Sequence, residues 1–143
     1  MKIRLVMLGK TKRAELRAML DDYRARIERS CEISVSELRE STDAALARLK
    51  LDSAAHLVLL DAAGRNLSSQ EFARWLAALR DRGTRELVFL CADDVGFPAA
   101  FRKRAHESLS LSKLTMPHEL ARVVLAEQIY RAFAILSGHP YAK

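Results

Sequence analysis

The sequence predicts an α/β domain built on a mostly parallel sheet with flanking helices, and three observations carry that prediction. Short runs rich in Val, Ile and Leu recur at 2–8, 56–61 and 86–91, the continuous apolar kind seen in strands buried on both faces. Between them lie segments whose apolar residues recur every three or four positions, the period of an amphipathic helix. The two kinds of segment alternate along the chain, which favours parallel strands joined by helical crossovers. At 143 residues, half of them hydrophobic and 29% charged, the chain fits one domain spanning 1–143. A domain of that size buries roughly two thirds of the surface its unfolded chain exposes.

The elements follow in order. "KIRLVML" (2–8) is the first strand, punctuated by Gly9. Leu16, Met19, Leu20, Tyr23 and Ile27 share one face of a helix within 11–30. "CEISVSEL" (31–38) alternates polar and apolar as a half-exposed strand does. A short helix covers 42–51, with Thr42 or Ser41 as its N-cap. "HLVLLD" (56–61) is a buried strand, and "AAGRNLSSQEF" leads from it into a helix. Ser68 and Glu71 fit a capping box there, Phe72, Trp75, Leu76 and Leu79 share one face, and Gly83 ends the helix. "ELVFLC" (86–91) is another buried strand, "ADDVGFP" a loop, and 98–107 a short basic helix. "LSLSKLTMP" (109–117) reads as a last strand plus a loop, and Pro117 opens a long helix to Leu136. No repeat or Pro/Ser-rich linker divides the chain.

Composition narrows the function. The net charge of +6 and pI of about 9.7 favour an anionic partner, of which nucleic acid is the commonest. No apolar run approaches the roughly 18 residues of a membrane span. The opening "MKIRLVMLGKTKR" is too interrupted for a signal peptide, so a cytoplasmic location without membrane contact is expected. Cys31 and Cys91 lie in strand-like runs and read as free thiols. His56, His106, His118 and His139 make no ligand pair and have no neighbouring Cys, so no metal is expected. The chain lacks GxGxxG, GxxxxGK[ST] and GxSxG, leaving a Rossmann site, a P-loop and an acyl-transfer triad unsupported.

In parallel sheets ligands bind outside the carboxyl ends of strands. Three loops qualify: after Asp61, after Cys91, and Ser112 to Pro117. Asp61 either orients a ligand or caps its own turn. Glu127 and Arg131 lie four apart on one helix face, as a surface ion pair or as paired functional groups. The final "SGHPYAK" is either a frayed end or a substrate-facing element.

Three blocks, "SLSLSKLTMPH", "ARVVLAEQIYRAF" and "SGHPYAK", resemble the C-terminal signature of the RlmH family. These are SPOUT-class methyltransferases that modify N3 of a pseudouridine in 23S ribosomal RNA. The likeness extends over the whole chain. "MKIRLVMLGKTK" resembles the family's opening strand, "YRARI" (23–27) its Tyr-x-x-Arg element, and "LVLLDAAGRNLSSQEFARWL" its Leu-Asp-x-x-Gly segment. The resemblance implies a SPOUT-type fold with a C-terminal trefoil knot, a homodimer, and S-adenosyl-L-methionine as cofactor. It places the cofactor against Leu60, Asp93 and the loop Ser112, Lys113, Leu114, Thr115, Met116 and Pro117. It implies His118 as a base or positioning donor, Arg131 as an oxyanion stabiliser held by Glu127, and Tyr141 against the target base. His139 and Lys143 would contact the RNA. Arg24, Arg26 and Arg29 on the first helix and Arg102, Lys103 and Arg104 on the fourth suit an RNA partner as well, or simply form solvated faces.

The chain departs from the family pattern at two places. Ala92-Asp93-Asp94-Val95-Gly96 stands where the family has Gly-Gly-x-x-Gly, so backbone freedom is reduced and a carboxylate is added near the cofactor. In the tail, Gly138 and Ala142 replace Asn and His. The leading reading is N3-methylation of a pseudouridine in 23S rRNA, on the assembled ribosome. Against it stands a degenerate SPOUT-fold RNA- or ribosome-binding protein with impaired cofactor use. A third reading is a nucleotide-binding regulator unrelated to methylation.

Overall fold

The computed structural model describes residues 1–142. In chain order the elements are β1 (Lys2–Leu8), α1 (Ala14–Ile27), β2 (Ile33–Leu38), α2 (Asp43–Ala47), β3 (His56–Asn66), α3 (Ser69–Asp81), β4 (Glu86–Cys91), α4 (Ala99–Arg104), β5 (Glu107–Ser110) and α5 (His118–Ser137), followed by a 3₁₀ turn at Pro140–Ala142. The five strands form one sheet in the order β2-β1-β4-β3-β5, and every pairing is parallel. This is the α/β architecture expected.

Strand periodicity divides the core into two layers. Ile3, Leu5 and Met7 face a layer of α1, α3 and α5, packing with Leu20, Ile27, Leu76 and Ile129. Val6 and Leu8 point the other way, into a smaller layer of α2 and α4 with Leu46 and Phe101. The central strand β4 is buried along its whole length, which is why its sequence is a continuous apolar run. Its one charged residue, Glu86, is held by Arg4 at 3.0 Å and by the Asp52 N–H at 2.5 Å. Both expected N-caps form. Thr42 Oγ1 accepts from the Ala45 N–H, and Ser68 and Glu71 exchange bonds of 3.1 and 2.9 Å in a capping box.

Helices α2 and α4 end earlier than expected, at Ala47 and Arg104, and three other boundaries differ, each for a visible reason. Strand β3 does not stop at Asp61. It pairs with β5 through Leu60↔Leu109, loops out residues 61–64, and pairs again through Arg65↔Leu109 and Asn66↔Ser110. Gly64 makes the rejoining possible: a Cβ there would lie 2.7 Å from the Ser108 carbonyl. Strand β5 begins at Glu107, not 109, because His106 locks the register. Its N–H bonds the Leu57 carbonyl at 2.8 Å, and its Nδ1 accepts from the Leu57 N–H at 3.0 Å. Cys31 lies before β2 rather than in it, since its N–H still bonds the Ile27 carbonyl at the end of α1.

Candidate active site

The carboxyl edge of the sheet carries a cavity of about 160 Å³. Three segments build it: Leu60, Asp61 and Ala62 after β3, Cys91 and Ala92 after β4, and the loop from β5 to the first turn of α5. Leu60, Leu111, Leu114 and Met116 supply apolar walls. The β5–α5 loop shapes itself: Ser110 Oγ bonds the Ser112 carbonyl, and Ser112 Oγ accepts from the Leu114 N–H, both at 2.9 Å. Of the expected cofactor residues, Leu60, Ser112, Leu114, Thr115 and Met116 line the cavity. Lys113 is exposed, and Pro117 lies at the start of α5, neither forming part of the wall.

Asp93 is not part of the wall either. Its Oδ1 accepts from the Val95 N–H at 2.9 Å, turning the carboxylate onto its own loop. Neither Ala92 nor Asp93 has a positive φ, while Gly96 keeps one at 94°. The glycine pair is therefore not required by this backbone, and the added carboxylate does not fill the cavity.

Asp61 takes the turn-capping reading. Its Oδ1 accepts from the Ala63 N–H at 3.0 Å and its Oδ2 from Arg102 at 2.8 Å, and these bonds hold its carboxyl below the ordinary range. It caps the turn while lining the cavity. Burial pushes the Cys91 thiol, also in the wall, up to about 12, so it stays protonated and inert.

His118, the first residue of α5, lines the cavity and is half-buried. Glu127, Arg131 and Tyr141 form a second group. Arg131 Nη2 bonds Glu127 Oε2 at 2.7 Å, with Nε at 3.2 Å from the same oxygen. The Tyr141 hydroxyl donates to Glu127 Oε2 at 2.7 Å, and the Arg131 guanidinium lies 5.0 Å from the Tyr141 ring centre. Burial alone would raise the Glu127 pKa, but the bonds from Arg131 and Tyr141 outweigh it and hold the carboxylate low. Burial and the bonds to Tyr23 and Glu127 push Tyr141 well above the usual phenol range, so it is a hydrogen-bond donor and not a base. His139 accepts from the Tyr141 N–H at 3.1 Å through Nδ1 and shapes the tail turn. Gly138, at φ 72°, sends the chain back, a conformation that Asn tolerates too. Lys143 lies outside the described residues.

The four expected catalytic residues thus fall into two sites. Nine positions on an α-helix correspond to a rise of about 13.5 Å and half a turn of rotation, so His118 and Glu127 face opposite sides of α5. Sequence spacing brought Glu127 to Arg131 but not His118 to either.

Other side chains also gather at and between these sites, and Gln128, Arg122 and Glu119 among them were assigned no role from the sequence. Tyr23 Oη lies 3.2 Å from Tyr141 Oη, and Arg26 stacks over the rings of Tyr23 and Tyr130. Gln128 joins Glu127 to Ser69. Arg122 is fully buried, bonding the carbonyls of Leu8 at 2.8 Å and Gly9 at 3.1 Å and Thr11 Oγ1 at 3.0 Å. Its signal was available, since it occupies a core position in the Leu125–Ile129 stripe. Beside it Glu119 accepts the N–H groups of Lys12 at 2.7 Å and Arg13 at 3.0 Å, so α5 grips the β1–α1 loop from two residues.

A family described as predicted SPOUT methyltransferase matches residues 1–142. The ribosomal RNA large subunit methyltransferase H of Geotalea daltonii is 38% identical over 151 aligned residues, which cover 99% of each chain. The protein of that name from Koribacter versatilis is 40% identical over 144, covering 99% of this chain and 97% of its own. A solved probable methylase family protein from Haemophilus influenzae Rd KW20 aligns with a TM-score of 0.55 at 10% identity, over 96% of this chain and 66% of that one. At that identity the likeness concerns the fold alone.

Proposed function

Since the chain belongs to the SPOUT methyltransferase family, with full-length relatives named ribosomal RNA large subunit methyltransferase H, we propose that it methylates N3 of a pseudouridine in 23S rRNA. The donor is S-adenosyl-L-methionine, and the enzyme works as a cytoplasmic homodimer on the assembled ribosome. The observation that carries this reading is the cavity at the carboxyl edge of β3, β4 and β5, lined by five of the residues the family likeness assigns to cofactor.

The donor set fits such a cofactor. Leu60, Leu111, Leu114 and Met116 offer apolar walls for an adenine, and Ser110, Ser112 and Thr115 add polar residues to the same lining. The altered loop leaves the cavity open, because the Asp93 carboxylate is engaged with Val95. This favours an active enzyme over the degenerate reading. When bound, S-adenosylmethionine supplies an electrophilic methyl group. The chain's own work is to place N3 in line, exclude water and take the N3 proton. His118, in the cavity wall, is the group placed to accept that proton. Arg131 stabilises the negative charge that develops on the imide oxygens, and Glu127 fixes its orientation. Tyr141 presents its ring to the target nucleotide.

The dimer gives these two sites one substrate. Within one protomer, His118 and the Glu127–Arg131–Tyr141 group lie on opposite sides of α5. In the dimer we place the tail group of one protomer over the cavity of its partner. The trefoil threading belongs to the same proposal. The order β2-β1-β4-β3-β5, with α5 returning across α1 and α3, is compatible with it.

The test is calorimetric titration with S-adenosylmethionine, followed by methyl transfer to ribosomes from cells lacking the gene, read by mass spectrometry at the pseudouridine. Saturable cofactor binding and a methyl on N3 are expected. No binding at millimolar cofactor would sink the proposal. Wild-type turnover by Arg131→Ala and Tyr141→Phe would remove the tail from the active site.

A further inference from the structure

We propose that Lys10 and Arg39 form a phosphate-binding notch beside the cofactor cavity, which grips the RNA backbone next to the target nucleotide. The inference rests on the RNA substrate proposed above. Strands β1 and β2 run in register through Leu8↔Leu38, and the Gly9 N–H bonds the Leu38 carbonyl at 2.9 Å. The two chains therefore leave the sheet side by side. A crevice of about 230 Å³ opens there, lined by Lys10, Glu37, Leu38 and Arg39.

The charges in this crevice are available. Among the described residues, neither Lys10 nor Arg39 makes an ion pair or a side-chain hydrogen bond, and both are exposed. Glu37, the one carboxylate in the wall, is engaged: its Oε2 accepts the Thr11 N–H at 2.7 Å and Arg17 Nη2 at 3.2 Å. Of the six helix residues expected to meet RNA, three are held in ion pairs among the described residues, while Arg29, Lys103 and Arg104 are not. Arg24 pairs with Glu28, Arg26 with Asp22 at 3.2 Å, and Arg102 with Asp61 at 2.8 Å. The loop carrying Lys10 is also fixed, since Arg122 holds the Gly9 carbonyl and the Thr11 hydroxyl on either side of it.

Position completes the case. The crevice and the cavity share the carboxyl edge of one sheet, at β2 and β1 for the first and at β4, β3 and β5 for the second. Two or so strand spacings separate them, about 10–12 Å. A target base presented at the mouth of the cofactor cavity brings the flanking backbone along this edge of the sheet. A guanidinium fork and an ammonium on two adjacent strands suit one phosphate group.

The experiment measures steady-state methylation of ribosomes lacking the modification, for wild type, Lys10→Ala/Arg39→Ala and the conservative Lys10→Arg/Arg39→Lys. The Ala pair is expected to raise KM for ribosomes several-fold, with kcat and cofactor affinity unchanged. Its plot of log affinity against log salt should be shallower by about 0.7–0.9, the value of one phosphate contact. The conservative pair should restore most of the affinity. A wild-type KM and salt slope in the Ala pair would overturn the proposal. So would a loss of ribosome affinity with unchanged binding to the naked 23S fragment, which would mean a protein contact. A fall in kcat or in cofactor affinity equal to the loss in ribosome affinity would mean a structural effect instead. The wild type separates this from the reading beneath it. A wild type that binds no cofactor refutes the methyltransferase proposal, whereas equilibrium binding of the variants to the 23S fragment still decides the notch.

Discussion

Arg122→Ala is expected to destabilise the protein by about 2–4 kcal/mol. The side chain is fully buried and makes three hydrogen bonds, all to the end of β1 and the loop after it. Removing it leaves the Leu8 and Gly9 carbonyls and the Thr11 hydroxyl without that partner, at roughly 1–3 kcal/mol for each buried acceptor. Part of that loss is offset, because burying a guanidinium is itself costly and Ala removes the cost. Burial pushes the Arg122 pKa down, and its Nε has no partner, both signs that the residue is retained at an expense. The bonds outweigh that expense because they hold together two segments over 100 positions apart in sequence. Urea unfolding at one fixed protein concentration measures the effect. With a slope of about 2 kcal/mol/M, the midpoint should fall by about 1–2 M with the slope unchanged. Arg122→Lys should recover only part, since one ammonium cannot span three acceptors in the plane of a guanidinium. A loss below about 1 kcal/mol would refute the reasoning, and Arg122 would then be a tolerated charge rather than the tie between α5 and β1.

Other expectations can be tested in parallel. Gly64→Ala forces a Cβ to 2.7 Å from the Ser108 carbonyl, so β3 and β5 must separate. A loss of about 1–3 kcal/mol in urea unfolding, with weaker cofactor binding because Leu60 to Ala62 line the cavity, is expected. Tyr23→Phe removes the hydroxyl 3.2 Å from Tyr141, and should lower kcat several-fold while leaving cofactor affinity in titration calorimetry unchanged. Glu127 has a depressed folded pKa, so its contribution is present above the unfolded value of about 4.3 and disappears as pH falls through the folded one. Urea midpoints taken from neutral pH down to about pH 3 should therefore fall more steeply for wild type than for Glu127→Gln. Cys91, pushed up to about 12 by burial, should resist alkylation at pH 8 in the native protein and react once unfolded, as read by mass spectrometry.

How much of this was legible in the sequence depended on the range of the interaction. Helices and strands were readable because their signals repeat locally. The Ser68–Glu71 capping box and the buried run of β4 are patterns within a few residues, and both form where they were placed. The extension of β3 was not readable. It depends on Ser108 passing within contact of Gly64, 44 positions away in sequence, and no local pattern encodes that approach. The same distinction runs through the site. Glu127 and Arg131 meet because four positions on a helix bring side chains together. Tyr141 joins them only because Gly138 turns the chain back, and Tyr23 joins from α1 through tertiary packing alone.

The sequence assigns His118 and Glu127 to one active site without saying whether they meet within one protomer. Helix geometry separates them by about two and a half turns and puts them on opposite faces, and a family motif says nothing about which copy of the chain each residue serves. The change to Ala92 and Asp93 is accommodated by the backbone of this loop. One thing a glycine supplies is a positive backbone angle, and within 92–96 only Gly96 adopts one. The altered loop still contributes Ala92 to the cavity wall, with the Asp93 carboxylate turned onto Val95, while Ser110 and Ser112 hold the β5–α5 loop that forms most of that wall.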